Sequence, residues 1–364
     1  MDVTYYLAEA VTGNIVPGAQ LSLTDATFTR RLPGGTFTAT LPMHSEIDLL
    51  YQSDFSYFAT LRNYLDPGAY SICPVVNGVS IGEWLIWSSV QDDVTGELVL
   101  SGIEWGLYPG YRSLERDYVY TGRDQALVLY DMLTDCIKGS QAVQMFIPIT
   151  THGKTVTLDQ KAKTAYYGDA ITDLLPGVEW FVWSRLDSVS APTKVVRDVI
   201  VSNGPRKQEQ SVPLIAASPT SPGGSLLSWK RTRDFGNVAA SLHGFGRGQG
   251  DKQLTAQRVL ANLLDGKHLI TTKHSTYSAI EDKATLQAAV DADSASFASA
   301  SRAISASVNL DDLAAYPMVT DSFQVVIDPR PSYPVGYGAW FRVGQTTIRP
   351  SGDRPVIDLL MEPA

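Results

Sequence analysis

The stretch that decides the fold is Asp321-Ser322-Phe323-Gln324-Val325-Val326-Ile327-Asp328, an apolar run bounded by polar residues. A Pro/Gly-rich excursion, 329–338, separates it from Ala339-Trp340-Phe341-Arg342-Val343. A loop through Gly344, which ends in turn residues, leads to Val356-Ile357-Asp358-Leu359-Leu360-Met361. Short β-branched and aromatic runs separated by turns are typical of strands in a small barrel. The end of the chain is therefore predicted to be a barrel-like strand meander.

The first 112 residues also consist of short apolar runs separated by turn residues. In Thr36–Leu41 the residues Phe37, Ala39 and Leu41 alternate with threonines, which is the pattern of a half-buried strand. Asn77-Gly78 between two apolar runs predicts a hairpin, because both turn positions need positive φ. This hairpin pairs 70–76 with 79–88. The spacing of six or seven such strands predicts a first closed or nearly closed barrel.

The middle of the chain has helical periodicity. Apolar residues recur every three or four positions over 125–138, and Lys138-Gly139 is a good helix end, so a helix is predicted there. A second helix is predicted over 166–175, before strands at 178–184 and 195–201. A third is predicted over 280–301, whereas 254–270 fits either a helix or a hairpin about Asp265-Gly266.

These patterns predict a β-rich α+β protein with two barrel-like halves and inserted α+β modules. The predicted domains are a first barrel 1–112, an α+β module 113–205, a linker or long loop 206–225, a second barrel formed by 226–250 and 303–364, and an insertion with a helix 251–302. At 364 residues the chain is long enough for several cores.

Composition excludes some classes of function. The net charge is −9, and a protein that grips nucleic-acid phosphates is usually basic, so DNA binding is not expected. The N-terminus has no signal-peptide pattern, and no apolar run reaches 18 residues, so synthesis in a cytoplasm and no membrane span are expected. Cys73 and Cys136 have neither disulfide-framework nor zinc-site spacing and are expected to fill core or half-buried positions.

The motifs for chemistry are weak. The run Gly244-Phe245-Gly246-Arg247-Gly248-Gln249-Gly250 is glycine-rich, but its spacing does not match a dinucleotide or P-loop fingerprint, so a tight or flexible turn is expected. None of the five histidines forms a metal or zincin motif with its sequence neighbours; they are His44, His152, His243, His268 and His274. We predict no catalytic, cofactor-binding or metal-binding residues.

Three Glu-Trp dipeptides each lie in a predicted strand. They are Glu83-Trp84, Glu104-Trp105 and Glu179-Trp180. Paired acids beside aromatic residues are typical of sugar-cleaving sites. Because alternate residues of a strand point to opposite faces, the ordinary explanation is an outward glutamate and an inward tryptophan. A hydrolase acting through Glu83 or Glu104 remains an alternative.

Several stretches together resemble the baseplate hub proteins, also called minor tail or tail-associated hub proteins, of long non-contractile-tailed phages of actinobacteria. Arg30–Pro42 is similar to the opening of the first hub barrel, and Val99–Trp105 is similar to the strand that closes it. Val238–Gly250 and Tyr316–Met361 resemble the second half, although Asp321-Ser322-Phe323 stands where hubs carry Gly-Asp-x. The layout of nearly the whole chain is similar.

The resemblance implies two tail-tube-like barrels in each chain and a homotrimer that forms a ring of six. Such a ring joins the six-fold distal tail ring to the three-fold tip of the virion. It also lines the channel for the tape measure protein and, transiently, for DNA. It implies no enzyme activity and no cofactor, and because the chain ends at Ala364 neither a lytic nor a receptor-binding extension is expected. The alternatives are a cell-wall hydrolase and a host-glycan-binding tail module.

Overall fold

A computed structural model of the chain is β-rich, as the sequence predicts, with short helices between the strands. The residues that the structure describes are 3–42, 65–92, 97–138, 143–175, 178–203, 208–210, 213–216, 225–234, 238–260, 271–278, 280–297, 301–309, 313, 316–329, 335–349 and 356–363. No helix among these residues combines the length and the apolar character that a membrane crossing needs.

The N-terminal half is antiparallel. Its strands are β1 Val3–Glu9, β2 Ile15–Leu21, β3 Thr24–Arg31, β4 Thr36–Pro42, β5 Tyr70–Val76, β6 Val79–Ser80, β7 Trp84–Asp92 and β8 Glu97–Ile103. They lie in the order β3-β4-β8-β7-β5-β1-β2, with β6 beside β5. The predicted hairpin turn is confirmed, since Asn77 and Gly78 have φ of 49° and 78°. The predicted inward face of β4 is confirmed as well, because Phe37, Ala39 and Leu41 are buried.

The middle module packs against this half. Its elements are the 3-10 helix η1 Trp105–Tyr111, β9 Tyr118–Asp124, α1 Gln125–Lys138, β10 Thr155–Gln160, α2 Tyr167–Leu174, β11 Val178–Leu186 and β12 Val195–Asn203. Both predicted helices and both predicted strands are confirmed within a few residues. A core of its own, which includes Leu129, Leu133 and Ile171, also takes in Leu85 and Ile103 from the N-terminal half.

The rest of the chain contains the C-terminal half and an insertion. The elements are β13 Gln208–Glu209, β14 Leu214–Ala216, β15 Leu226–Asp234, β16 Ser241–Phe245, η2 Gly250–Lys252, β17 Thr255–Val259, β18 Thr272–Thr276, α3 Lys283–Phe297, β19 Ser301–Asn309, β20 Asp321–Ile327, β21 Tyr337–Arg349 and β22 Val356–Pro363. The insertion is the sheet β17-β16-β18 packed against α3. The helix predicted over 280–301 is shorter, because Ser301 already belongs to β19.

Two predictions about this region are corrected. The loop expected through Gly344 is not a loop, because β21 continues to Arg349 and only a bulge interrupts its register with β22 between Val343 and Gln345. Within the predicted linker 206–225, β13 and β14 pair in parallel with β20, so these parts of it belong to the sheet. Of the ambiguous stretch 254–270, Thr255–Val259 is a strand, and 261–270 lies outside the described residues.

The described strands form no closed barrel, so the two-barrel prediction is not confirmed. Fifteen of them form one sheet whose main path is β15-β19-β22-β21-β3-β4-β8-β7-β5-β1-β2, and the others form the smaller sheets β10-β9, β11-β12 and β17-β16-β18. A single hydrophobic core spans both halves and includes Phe28 and Leu100 from the first and Val343 and Leu359 from the second. The predicted domain boundaries stay a prediction.

The two halves have the same strand order. Taken in chain order, four strands of each half lie as first, second, fourth, third: β3-β4-β8-β7 and β15-β19-β22-β21. In both halves the third strand carries a bulge, between Ile86 and Ser88 in β7 and between Val343 and Gln345 in β21. Before the bulge the third strand also pairs with an outer strand, β5 or β20. The halves are therefore repeats of one topology.

Candidate functional site

The two halves join through backbone pairing. After its bulge, β21 pairs antiparallel with β3, which places Gln345 opposite Arg31 and Thr347 opposite Thr29. In terms of the repeat, the third strand of the second half pairs with the first strand of the first half. This junction turns two four-stranded sheets into one continuous eight-stranded sheet.

The outermost of these eight strands are a first strand, β15, and a third strand, β7, which are the same two kinds of strand that pair at the junction. Among the described strands, β15 pairs only with β19. The part of β7 that follows its bulge, 88–92, pairs only with β8 among those strands. A strand edge exposes unpaired backbone donors and acceptors and is a template for pairing with another chain. The sheet therefore ends in a first-strand edge on one side and a third-strand edge on the other.

One face of the eight-stranded sheet is rich in hydroxyl groups. Register places Ser228, Ser307, Asp358, Thr347 and Thr29 in one row across β15, β19, β22, β21 and β3. A second row continues across β3, β4, β8 and β7 with Thr27, Thr38, Ser101 and Ser88. These residues are half-buried or exposed, and their neighbours along β4, β19 and β22 belong to the hydrophobic core.

The charges on this face are few and of both signs. Arg31, Lys230 and Arg349 lie on it together with Asp92, Glu97, Asp358 and Glu362. Arg349 pairs with Asp358 at 3.1 Å, and Ser307 donates a hydrogen bond to the same carboxylate at 2.6 Å. A face with small hydroxyls and nearly balanced charge does not concentrate positive charge for phosphates. Its exposed apolar side chains include Val90, Val99 and Leu360.

The glutamate of the first Glu-Trp pair is inside the protein, which corrects the outward prediction. Glu83 is 1% exposed and accepts hydrogen bonds from Arg197 Nε at 2.8 Å, Arg197 Nη2 at 2.6 Å and Ser71 Oγ at 2.7 Å. Burial alone raises the pKa of this carboxyl, but the Arg197 guanidinium and the hydrogen bonds outweigh burial and hold the pKa below its ordinary value. Glu83 is therefore ionised at neutral pH.

The second glutamate is also buried. Glu104 is 6% exposed and accepts hydrogen bonds from Arg30 Nε at 2.7 Å and from the Gly35 amide at 2.6 Å. Burial raises the pKa of Glu104 above its ordinary value, and the charge of Glu83 adds to this, despite the opposing effect of Arg30. Two carboxyls whose pKa values move apart can be an acid and a base in a glycosidase.

Their surroundings do not fit a hydrolytic site. The planar guanidinium of Arg197 stacks on Trp105 at 4.9 Å, and that of Arg30 lies 5.6 Å from Trp183 and 5.9 Å from Trp84. The cavity that Arg30 and Glu104 line has a volume of about 10 Å³, which is too small for a sugar. Glu83 and Glu104 thus connect the N-terminal half to the middle module and to the start of η1.

The third Glu-Trp pair follows the predicted alternation. Trp180 is buried, whereas Glu179 is half-buried and accepts a hydrogen bond from Arg342 of β21. This ion pair connects the middle module to the C-terminal half. No sequence motif predicted an ion pair for Arg30, Arg197 or Arg342. Their glutamate partners lie 74, 114 and 163 residues away, so no local pattern could have found them.

The glycine-rich run forms the tight turn that was expected. Gly248 and Gly250 have positive φ, and the amides of Gly246 and Arg247 donate to the carbonyl oxygens of Leu254 and Ile280. These amides cannot cradle a phosphate in this arrangement. Both cysteines are free and buried, as expected. His44 and His268 lie outside the described residues.

Comparison with known proteins finds similarity at the level of structure. No family model matches the sequence, and no curated protein matches it. A tail protein from Neisseria meningitidis MC58 superposes with a TM-score of 0.60 at 14% identity, covering 98% of this chain and 96% of that one. The 43 kDa tail protein of prophage MuSo2 from Shewanella oneidensis gives a TM-score of 0.61 at 9% identity, covering 98% of both chains.

A chain of the Francisella PdpA-VgrG complex is similar as well. It gives a TM-score of 0.52 at 10% identity over 99% of this chain, which spans 52% of that larger chain. At these identities the similarity concerns the fold. The chain has the fold of phage tail proteins, over almost its full length.

Proposed function

We propose that the protein is a structural component of a phage tail tip, a baseplate hub whose copies form a ring. The observation that carries the proposal is the repeated half, which has a first-strand edge at one end of the sheet and a third-strand edge at the other. The full-length similarity to tail proteins from Neisseria and Shewanella supports the same function. The proposed location is the tail tip of the virion.

The ring follows from the junction inside the chain. The third strand of the second half already pairs with the first strand of the first half. If the third strand of the first half, β7, pairs in the same way with β15 of a neighbouring copy, each new junction repeats the internal one. Head-to-tail contacts of this kind form a ring when the rotation from one copy to the next closes, and closure is part of the proposal. Three chains present six similar halves, which suits a partner ring with six-fold symmetry.

The register of the contact follows from the repeat. The two bulges align Ser88 with Gln345 and therefore Val90 with Thr347. Across the four-stranded sheets the same alignment relates Thr29 to Thr232. Since Thr347 is opposite Thr29 inside the chain, Val90 of one copy is expected opposite Thr232 of the next.

The hydroxyl-rich face is proposed to line the channel of the ring. Continuation of the sheet through β7 and β15 would join the rows of serine and threonine of successive copies into a belt. Such a belt offers small polar groups and little net charge to tape measure protein and DNA, so a polyanion passes without strong binding. The distal tail protein and other tail-tip proteins are the proposed partners of the ring.

A disulfide cross-link tests the ring. Cysteines placed at Val90→Cys and Thr232→Cys are expected to join neighbouring copies under oxidation, since opposite residues of antiparallel strands are about 4.5–5.5 Å apart between Cα atoms, within disulfide reach. Non-reducing electrophoresis should show species up to a trimer and no longer ladder. The native thiols do not interfere, because both are buried.

In the matched control, the cysteine on β7 is moved to the neighbouring strand β8. Val99 lies opposite Val90 on the same face of β8 and is also exposed. Val99→Cys with Thr232→Cys should not cross-link, because one strand spacing adds about 4.8 Å. A protein that stays monomeric at high concentration and forms no Val90–Thr232 cross-link would contradict the ring.

A narrower proposal is that the virion has the long non-contractile tail of an actinobacterial phage. It rests on the sequence stretches Arg30–Pro42 and Val99–Trp105. We propose no enzyme activity for the described residues. The glutamates that motivated the hydrolase alternative, Glu83 and Glu104, are enclosed and paired with arginines.

A further inference from the structure

Two histidines meet on the outer face of the insertion. His243 on β16 and His274 on β18 are directly opposite in parallel register, although 31 residues separate them in the sequence. Their rings are 5.6 Å apart between centroids at an interplanar angle of 66°. Both side chains are partly exposed to solvent. Ring formation as proposed above uses β7 and β15 and does not involve this face.

The strands under the two rings are held firmly. Leu242 is fully buried, and a Cβ on Gly244 would lie 2.2 Å from Val290 of α3, so β16 packs closely on the helix. Phe245 packs edge-on against the His274 ring with centroids 5.5 Å apart. These contacts fix the two strands that bring the imidazoles side by side.

The separation of the rings fits a shared metal ion. A zinc–imidazole nitrogen bond is about 2.0–2.1 Å, so two imidazoles on one tetrahedral ion have ring centroids about 5.2 Å apart. The observed separation of the centroids, 5.6 Å, is close to this value. Imidazole nitrogen is a ligand that suits Zn²⁺, Cu²⁺ and Ni²⁺, whereas Mg²⁺ and Ca²⁺ prefer oxygen.

We propose that His243 and His274 form a binding site for a divalent transition-metal ion, with Zn²⁺ as the expected ion. The protein supplies two ligands, and no group of three or more His, Cys, Asp or Glu side chains with metal-site geometry occurs in the described part of the chain. The remaining positions of a four-coordinate ion are therefore open to water, or to donor groups of another protein. Gln257, opposite His243 on β17, borders the site.

Calorimetric titration of the full chain with Zn²⁺ tests the proposal. One ion per chain is expected, and His243→Gln and His274→Gln should each weaken binding by at least about tenfold, since even outer partners of metal ligands change affinity by 10–100-fold. His152→Gln is the matched control, because it also removes one imidazole but lies in the middle module. It should leave the titration unchanged.

Electron paramagnetic resonance of bound Cu²⁺ gives a second measurement. Two coordinating nitrogens are expected in wild type and fewer in each single variant of the pair. Because both side chains lie on the solvent face, the variants should keep the wild-type melting temperature, which circular dichroism checks. Absence of stoichiometric binding, or equal binding by wild type and the double variant His243→Gln/His274→Gln, would overturn the site.

Discussion

The buried ion pair of Glu83 and Arg197 gives the strongest prediction about stability. Both side chains are 0% exposed. In Glu83→Gln the shape of the side chain stays, but the Arg197 guanidinium keeps its charge away from water with no anion beside it. Removal of one partner of such a pair costs about 3–5 kcal/mol. Since a domain is stable by about 5–15 kcal/mol, a large part of the free energy of unfolding should be lost.

Urea unfolding followed by tryptophan fluorescence measures this loss, and a double-mutant cycle explains it. Arg197→Met also leaves a buried charge unpaired, now that of Glu83, so each single variant should be strongly destabilised. The double variant removes both charges. Its loss in the free energy of unfolding should be smaller than the sum of the two single losses by at least about 2 kcal/mol, because the two sites are coupled. Losses below about 1 kcal/mol in the singles, or strictly additive losses, would refute the reasoning.

Other expectations concern pH, packing and backbone contact. The pKa of Glu83 is lowered, so Glu83 stabilises the folded protein fully above the ordinary glutamate pKa, and this stabilisation is lost as pH falls through the lowered value. The pKa of Glu104 is raised, so its contribution to the stability of the fold grows as pH falls through the raised value. The difference in the free energy of unfolding between wild type and each Glu→Gln variant, measured with urea over a pH series, should show these opposite slopes. Phe28→Ala should lower the free energy of unfolding by about 3–5 kcal/mol, since the ring is fully buried among aromatic side chains; a loss under about 1 kcal/mol would contradict this. Gly102→Ala should lower the melting temperature, because the new Cβ would lie 1.8 Å from the backbone oxygen of Leu85. Gly110→Ala is the control, since a Cβ there meets open space, and it should not lower the melting temperature. Equal melting temperatures of the two variants would count against the close approach of β8 to β7 at Gly102.

Local signals predicted much of the secondary structure. Asp321–Ile327 and Tyr70–Val76 are strands with the predicted bounds, and helix α1 lies where its apolar period placed it. These elements depend on alternation, turn residues and helix ends that neighbouring residues supply. The sequence also predicted two similar β-rich halves, although as separate closed barrels.

Contacts between distant segments were beyond such signals. Glu83 directly precedes β7 and Glu104 directly follows β8, so strand alternation does not govern either side chain. Glu179 lies within β11, and there the alternation holds. The bulge at Gly344 looks like a loop in the sequence because glycine is a common turn residue. The histidine pair depends on the parallel pairing of β16 with β18, which only the fold establishes.

The seam between β3 and β21 also constrains how the protein can be made. The Thr29 and Thr347 hydroxyls, 3.5 Å apart, come from residues separated by 318 positions. Almost the whole polypeptide must therefore be synthesised before β21 can pair with β3 of the β3-β4 hairpin, and contacts of such long range form slowly. Until then β3 is an uncovered edge in the nascent chain. A truncated translation product that lacks β21 cannot complete the eight-stranded sheet and would keep β3 as an uncovered edge.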